Sequence, residues 1–399
     1  MSGWQILPRN ADLSRTFDPI SGWARLVLVE RYGPPDTWAV TGPASALTAF
    51  TPGMGCILNR DGQQVTSGQL ITLNRSAVTD GNGRRVDTIT AGFEADDGAL
   101  DGRIVFPTPT HPLTPAISTF PTAYDLRSGT VEDLILGYTS ASLSTGALTN
   151  RRLTRLRLPT SSARGGTTQV TGRLDNLGVL VQSLQEAGNL RVSIVHTEDV
   201  NGAWLDMVIE PVRDLSTNVR FGTAESTATG LISEWSYELA APTTTRAIVA
   251  GGGDLAAREF LQLTDTAAET LWGIVAETVV DQRNVDPTSV NKLGELTRAG
   301  QEALAAGAGP VKVAFTPLLG PDLEYRRDVR VGDIVGYDLP GLAPAEDKIR
   351  EATTTVSVEA GQATEQVSVV VGTPDAPATR TQQQTAKALR DINIIKRSK

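Results

Sequence analysis

The sequence contains few of the side chains that build reaction centres. Its 399 residues include one cysteine, Cys56, and two histidines, His111 and His196. A single cysteine excludes an internal disulfide and a multi-cysteine metal site, and two histidines exclude a histidine-rich metal cluster. A Ser-His-Asp or Cys-His arrangement would have to use one of these two histidines. We interpret Cys56 as a small buried thiol rather than a nucleophile.

Long apolar runs and aromatic side chains are also scarce. The sequence has no run of about 18 apolar residues, and residues 1–4 lack the basic and apolar regions of a signal peptide. These absences predict a protein without a membrane span or secretory signal, made and kept in a cytoplasm. Aromatic residues make up 5% of the chain, which is few for a protein that stacks its rings on sugars.

Acidic residues outnumber basic ones, which bears on the choice of partner. The 45 Asp and Glu against 36 Lys and Arg give a net charge of -9, whereas proteins hold the phosphates of nucleic acids with basic patches. One stretch differs, because residues 151–173 contain no acid and hold Arg151, Arg152, Arg155, Arg157, Arg164 and Arg173. This stretch is either a basic surface for a nucleic acid or an acidic neighbour, or a solvated strand face with Leu153, Leu156 and Leu158 pointing inward. We favour the strand face.

Glycine and proline, by contrast, are abundant and favour β architecture. The 38 glycines and 22 prolines lie mostly at predicted turns. Between residues 17 and 106, short apolar stretches alternate with Asp-Gly pairs at 61–62, 80–81, 97–98 and 101–102. This pattern is typical of a β meander that forms a small barrel or sandwich. Prolines between 107 and 121 then predict a boundary loop.

The stretch from 174 to 210 has the most explicit pattern in the chain. Apolar residues at helical spacing predict a helix, and Gly188 lies where a helix C-terminus favours a residue that can take positive φ. Alternating apolar residues on both sides of Asn201-Gly202 predict a β-hairpin that lies on this helix. Upstream, Thr130 and Asp133 resemble a capping box for another helix. Together these elements predict an α/β module between two sheets.

After residue 211 the β signal returns. Strands alternate up to about residue 372, interrupted by a helix that we expect to begin at Asp286-Pro287 and to end near Gly307. Gly251-Gly252-Gly253 follows a strand but completes no phosphate-binding fingerprint, so we interpret it as a flexible bend. The C-terminal segment has too little apolar area to fold alone, and we expect it to be disordered or to dock on a partner.

Short turn and strand-entry motifs occur in a characteristic order along residues 20–372. They are Ser21-Gly22-Trp23, Gly53-Met54-Gly55-Cys56-Ile57-Leu58-Asn59-Arg60-Asp61-Gly62, Thr66-Ser67-Gly68, Asp97-Gly98-Ala99-Leu100-Asp101-Gly102-Arg103, the helix from Val131 to Gly137, Arg151-Arg152-Leu153, Gly172-Arg173-Leu174, Gly188-Asn189-Leu190 and Val331-Gly332-Asp333-Ile334-Val335. In these motifs the chain resembles the tail-tip hub family of long-tailed phages of actinobacteria, often labelled ReqiPepy-like and related in architecture to the baseplate hub of contractile phages. None of the motifs is a catalytic signature.

The resemblance implies an α+β, mainly β fold with two tube-like antiparallel β-barrel domains. The implied domains are a first barrel at 1–106 with return strands at 211–240, an α/β insertion module at 107–210, a second barrel at 241–372 with a helical insertion at 281–310, and an extended or helical tail at 373–399.

The resemblance also implies a structural virion protein rather than an enzyme. Three chains with two barrels each would form a trimeric ring that adapts a sixfold tail tube to threefold tip proteins and lines a channel, through which DNA passes without specific binding. The implied partners are further copies of the chain, a distal tail protein, a tape measure protein and tail-fibre or tip proteins. The implied location is the tail tip of a virion assembled in the host cytoplasm. No catalytic, cofactor-binding or metal-binding residues and no cofactors are expected.

Two other functions are open from the residues alone. A cell-envelope carbohydrate hydrolase needs paired carboxylates as acid and base, for which the candidates are Asp96, Asp97 and Asp101. The Asp-Gly turns already explain these residues. A glycan-binding adhesin would use tryptophan platforms, for which the candidates are Trp204, Trp235 and Trp272. On strands, such tryptophans lie more often in the core.

Overall fold

The computed structural model describes residues 3–15, 18–79, 83, 85–113, 119–223, 229–253, 255–283, 285, 292–309, 311–317, 323–340, 344–359 and 362–372. Within these ranges the protein is α+β and mainly β, as predicted. The strands are β1 (Trp4–Arg9), β2 (Arg25–Arg31), β3 (Thr37–Pro43), β4 (Gly55–Arg60), β5 (Gln63–Thr79), β6 (Arg85–Ala95), β7 (Asp125–Thr130), β8 (Leu156–Arg157), β9 (Thr167–Gly172), β10 (Leu190–Asp199), β11 (Gly202–Pro211), β12 (Arg220–Gly222), β13 (Gly230–Leu239), β14 (Arg246–Ala250), β15 (Phe260–Thr264), β16 (Glu277–Asp281), β17 (Val311–Pro317), β18 (Ile334–Asp338), β19 (Ala345–Glu359) and β20 (Gln362–Gly372). The α-helices are α1 (Gly98–Asp101), α2 (Val131–Leu143), α3 (Leu177–Gly188), α4 (Thr266–Trp272) and α5 (Lys292–Ala306). None of the described helices is long and apolar enough to cross a membrane.

The chain divides into two compact units. The first comprises Met1–Glu234 and Thr316–Val369, and the second comprises Trp235–Phe315 and Val370–Lys399. The domain boundaries expected from the sequence stay a prediction, and the tail expected at 373–399 lies outside the described residues.

In the first unit a long sheet joins the two ends of the sequence. Its strands run in the order β1-β4-β5-β6-β3-β2-β19-β18-β12. Neighbours from β1 to β18 are antiparallel, and β12 is parallel to β18. β20 also pairs with β19, and Trp4 Nε1–H of β1 donates to Glu365 Oε2 of β20 at 3.0 Å. Closure of this sheet into the expected barrel stays a prediction.

One face of this sheet covers a core of aromatic and aliphatic side chains. Trp38 stacks on Phe93 with ring centroids 5.4 Å apart, and Phe50 meets Phe93 edge to face at 5.0 Å. Leu26 and Leu28 of β2 are fully buried and alternate with less buried residues. This period of two is what a sheet with one covered face requires.

A second core of the first unit draws most of its side chains from residues 100–209. There α2 and α3 pack together and on the hairpin of β10 and β11, whose register runs from Leu190↔Pro211 to Asp199↔Gly202. Leu190, Val192 and Ile194 are buried and alternate with half-buried neighbours. The predicted helix and hairpin are therefore confirmed.

Local hydrogen bonds fix where the helices begin. The predicted capping box of α2 is present, because Asp133 N–H donates to Thr130 Oγ1 and Thr130 N–H donates to Asp133 Oδ2, both at 3.3 Å. α3 begins at Leu177, where Asn176 Oδ1 accepts from Val179 N–H at 3.0 Å. Leu174, the first apolar residue of the stretch from 174 to 210 in which the spacing predicts a helix, lies before α3 with φ of 60° and a half-exposed side chain.

The end of α3 corrects one prediction. The residue in the left-handed region is Asn189, with φ of 48°, and Gly188 is the last helical residue. Gly188 lies against α2 instead, since an added Cβ would stand 2.7 Å from Val131 Cγ1. The sequence pattern located the helix end, but the glycine serves close packing and the asparagine takes the positive φ.

The second unit contains a three-stranded sheet in the order β15-β14-β16. β15 is antiparallel and β16 is parallel to β14. α5 covers one face through a small core that includes Val249 and Leu296. The expected start of this helix at Asp286-Pro287 lies outside the described residues. Gly251-Gly252-Gly253 forms a bend in which Gly251 N–H donates to Glu259 O at 2.9 Å and Glu259 N–H donates to Gly252 O at 3.0 Å.

Candidate functional site

Asp96, the first candidate acid of a hydrolase, holds strands together. It is 3% exposed and lies against the fully buried Arg9 of β1. Arg9 Nη1 donates to Oδ2 at 2.9 Å, Nη2 donates to Oδ1, and Ser67 Oγ donates to Oδ2 at 2.6 Å. Because a buried carboxylate is costly to separate from its cation, Asp96 is committed to the fold rather than to proton transfer.

Asp97 and Asp101 line one recess together with Gly178 and Gln182 of α3. The accessible volume of the recess is about 10 Å³, which is room for about one water molecule. A sugar ring does not fit. The structure thus brings two of the three candidate acids together, but in a space too small for a glycan.

These carboxyl groups are instead difficult to ionise. Burial raises the pKa of Asp97 well above its usual value, and the charges of Asp36 and Asp96 add to the effect. Burial and the charge of Glu30 raise the pKa of Asp36 to about 7, and burial raises the pKa of Asp101. Shifts of this kind mark many catalytic acids. Because the recess has no room for a substrate, we interpret these raised pKa values as a source of pH-dependent stability.

The two histidines and the cysteine also have structural surroundings. His196 is buried, its Nε2 lies 3.0 Å from Leu13 O, and its backbone N–H donates to Ser67 Oγ at 3.0 Å. Burial lowers its pKa, so the ring is neutral at pH 7. The ring of His111 meets Phe120 edge to face at 5.6 Å. Cys56 is fully buried as predicted, and burial raises the pKa of its thiol to about 12. Among the described residues, no group of three or more His, Cys, Asp or Glu is placed to hold a metal ion.

The arginines of 151–173 contact acids, carbonyls and aromatic rings outside that segment. Arg157 forms ion pairs with Asp199 at 2.7 Å and Asp206 at 2.5 Å, and Arg164 forms one with Glu132 at 2.6 Å. The remaining four bind carbonyl oxygens or lie over aromatic rings, and these are Arg151, Arg152, Arg155 and Arg173. The favoured strand face is confirmed in part, because Leu156–Arg157 and Thr167–Gly172 are strands and Leu153, Leu156 and Leu158 pack on the core of the first unit. Within this described segment, acids pair with Arg157 and Arg164, and the other four arginines contact neutral groups.

The three candidate tryptophans are not core residues, contrary to our expectation. Trp235 of β13 is 37% exposed, and Tyr237 on the same face is equally exposed. Trp272 ends α4 and is half-buried. Trp204 is half-buried and lies under the guanidinium groups of Arg155 and Arg157, 5.4 and 5.0 Å from the ring. Two cations already occupy the surroundings of this ring, which leaves Trp235 as an exposed apolar surface.

Sequence reasoning missed a further surface, the outer part of β5 and β6. β5 is 17 residues long, and all its residues from Ile71 to Thr79 are exposed although β6 pairs with Thr72 to Thr79. The apolar residues Ile71, Leu73, Val78 and Val86 were visible in the sequence within predicted strands. Their pattern does not show that β5 and β6 extend beyond the core, because this extension depends on the lengths of the neighbouring strands.

Comparison with known proteins identifies the family and the fold. A family model described as siphovirus ReqiPepy6 Gp37-like protein matches residues 4–373. The tail protein from Neisseria meningitidis MC58 has a TM-score of 0.53 and 12% sequence identity, with 94% of this chain and 98% of that chain covered. The prophage tail protein gp18 from Listeria monocytogenes EGD-e has a TM-score of 0.50 and 11% identity, with 97% and 99% covered. No curated protein matches the sequence. The likeness to the two solved structures is one of fold along almost the whole chain.

Proposed function

Because the chain belongs to the siphovirus ReqiPepy6 Gp37-like protein family, we propose that it is the structural hub at the tip of a phage tail. The observation that carries the proposal is the length of the match. The family model extends over residues 4–373, and a tail protein and a prophage tail protein share the fold over 94% and 97% of the chain. A shared fragment would support only a common domain, whereas this match includes both units.

The candidate catalytic residues support a structural role. Asp96 is held by Arg9 and Ser67, Asp97 and Asp101 line a recess with room for about one water, and the thiol of Cys56 is buried. An enzyme of the cell envelope needs carboxylates that reach a glycan. We propose that this chain forms and breaks no bonds, and that digestion of the cell wall depends on other proteins.

The proposed assembly is a ring of three chains around a channel for DNA. Two similar barrels per chain would give six positions, which match a sixfold tail tube on one side and threefold tip proteins on the other. The net charge of -9 supports a channel that DNA crosses without being held, since phosphates bind to basic surfaces with release of counterions. The proposed neighbours are a distal tail protein, a tape measure protein and tail-fibre or tip proteins.

Mass photometry of the purified protein, together with immunogold labelling of intact virions, tests the proposal. We expect a species of three times the chain mass of 42.3 kDa and gold particles at the distal end of the tail. Negative-stain images of the trimer should show a threefold ring with a central hole. A stable monomer that is absent from virions would contradict the proposal.

A further inference from the structure

Two segments of the first unit that contain no acid meet beside Phe106. Residues 102–124 and 134–174 hold no Asp or Glu. Arg103 lies in the first segment and Arg151 in the second, and Arg151 Nη2 donates to Ile104 O at 2.5 Å. Both arginine side chains are half-buried. The fold therefore joins two cationic side chains at a place where neither segment brings an anion.

Aromatic rings hold Arg151 in place. Its guanidinium carbon lies 3.7 Å from the centroid of the Phe106 ring. Phe106 meets Phe120 edge to face with centroids 5.2 Å apart, and Phe120 meets His111 at 5.6 Å. The position of this cation is thus fixed within the chain itself. Such preorganisation lowers the cost of binding a partner, because the side chain is ordered in advance.

The charge of this pair of arginines is not compensated. Within the described residues, neither Arg103 nor Arg151 forms an ion pair, whereas Arg157 and Arg164 do. Burial and the charge of Arg103 lower the pKa of Arg151, and no acid of the described residues opposes them. Arg103 Nε and Arg151 Nη1 are also buried without a hydrogen-bond acceptor. Unpaired buried donors and repulsion between like charges both cost stability, which indicates that the pair has a use other than stability.

The neighbouring arginines differ from this pair. Arg152 donates to Thr145 O and Ala147 O, both at 2.9 Å, and the partial negative charge of these carbonyls offsets its own in part. Arg173 has the exposed Asp175 two positions away. Two guanidinium groups are few for a nucleic-acid backbone, which proteins bind through many phosphate contacts. A planar carboxylate, by contrast, can accept paired hydrogen bonds from a single guanidinium fork.

We propose that Arg103 and Arg151 form a docking site for a carboxylate of an acidic polypeptide segment. A carboxylate beside them offsets the repulsion between the two cations and accepts charge-assisted hydrogen bonds from them. In the proposed hub, the segment belongs to a neighbouring protein of the tail. The inference rests on the proposed hub for that location alone, because binding at the two arginines is measured on the purified protein.

Fluorescence anisotropy of a labelled hexaglutamate peptide tests the site, with hexaglutamine as the uncharged control peptide. At low salt, where ion pairs are screened least, we expect the protein to bind hexaglutamate and not hexaglutamine. Arg103→Gln and Arg151→Gln should each weaken this binding by at least about tenfold, as loss of a charge-assisted hydrogen bond implies. Arg298→Gln is the matched control, because it removes the same charge from an exposed side chain that pairs with Glu302. Its affinity for hexaglutamate should equal that of the wild type.

The Tm of each variant separates loss of the site from loss of the fold. Arg103→Gln should not lower the Tm, since it removes a charge that repels Arg151, and a loss of binding in this variant then reports on the site. If the wild type does not prefer hexaglutamate, or if both arginine variants bind it as the wild type does, the inference is wrong. Duplex DNA that displaces the peptide and loses affinity in the same variants would make the ligand a phosphate, which also overturns the inference. A monomer that is absent from virions overturns the hub proposal, while the peptide measurements still decide this one.

Discussion

At the scale of single residues, the chain places its charges where tertiary contacts determine their role. Arg9 and Asp96 are 87 positions apart, and their pair lies fully inside the first unit. Asp36 and Asp97, by contrast, are acids whose ionisation the surroundings oppose. The same residue type therefore supports the fold at one position and opposes it at another, according to whether its cations outweigh burial and the charges of neighbouring acids.

The raised pKa of Asp36 predicts a specific pH dependence of stability. Its unfolded pKa is about 3.9, and burial together with the charge of Glu30 raises the folded pKa to about 7. The folded state binds this proton more tightly, so the stabilisation is complete below about pH 4 and is lost as the pH rises through about 7. Asp36→Asn removes the titration and retains an oxygen that can accept the Arg31 N–H bond of 2.8 Å. We expect the Tm of the wild type to decline from about pH 3 to about pH 8 relative to that of Asp36→Asn, because these limits lie about one unit outside the unfolded and folded pKa values. Differential scanning fluorimetry measures this difference.

The exposed Asp18 provides the control for this measurement. Asp18→Asn should give a Tm profile parallel to that of the wild type, because its side chain lies in solvent. Parallel profiles for Asp36→Asn and the wild type would show that folding does not raise the pKa of Asp36.

The sequence predicted the environment of some residues and not of others. The burial of Cys56 followed from its residue type, because free cysteines are usually buried. The partners of the arginines did not follow, since Arg164 binds Glu132 and Arg157 binds Asp206 across 32 and 49 positions. A segment without acids looked basic in sequence, but the fold supplies acids from other segments. Pairing of this kind is a property of topology, which local composition does not contain.

At the scale of elements, the boundary between α2 and α3 is set by one glycine. Gly188 permits the two helices to approach, because an added Cβ would lie 2.7 Å from Cγ1 and 2.9 Å from Cβ of Val131. Val131 is β-branched and cannot move away by a change of rotamer alone. We expect Gly188→Ala to destabilise the protein by about 1–3 kcal/mol, as overpacking does, although alanine is the better helix former by about 1 kcal/mol. Urea denaturation measures the difference.

A double-mutant cycle isolates this contact. Val131→Ala removes the obstructing methyl groups, so Gly188→Ala should cost less in that background than in the wild type. Gly137→Ala is the control within a helix, because the three atoms nearest to its added Cβ are Nη1, Cδ and Cζ at the far end of the long Arg127 side chain and not a β-branched carbon. If Gly188→Ala and Gly137→Ala have equal effects, close packing at Val131 is not the reason for the glycine.

Elements with local signals were predictable, and elements that depend on distant strands were not. The capping box of α2 and the hairpin at Asn201-Gly202 are determined by neighbouring residues and were found. β1 was missed because it contains Pro8, which argues against a strand. The structure places β1 at the end of the strand order, where a missing N–H donor is tolerated. β2 and β19 pair across 320 positions between Arg31 and Glu351, which no local pattern specifies.

At the scale of the whole molecule, the balance of charge distinguishes a channel for DNA from a DNA-binding protein. The net charge is -9, and the arginines of 151–173 are engaged within the chain. We therefore expect the purified protein to bind duplex DNA more weakly than the roughly 10⁻⁴ M limit of ordinary non-specific binding, even at about 50 mM salt, where phosphate contacts are strongest. Fluorescence anisotropy of a labelled duplex measures this. Arg157→Glu provides a control. If Arg157 held phosphate, reversal of its charge would lower the affinity for DNA. Because Arg157 is engaged by Asp199 and Asp206, we expect the anisotropy signal to be unchanged. Binding whose affinity falls steeply with salt would show that phosphates are held on this protein, and DNA would then be a ligand rather than a passing cargo.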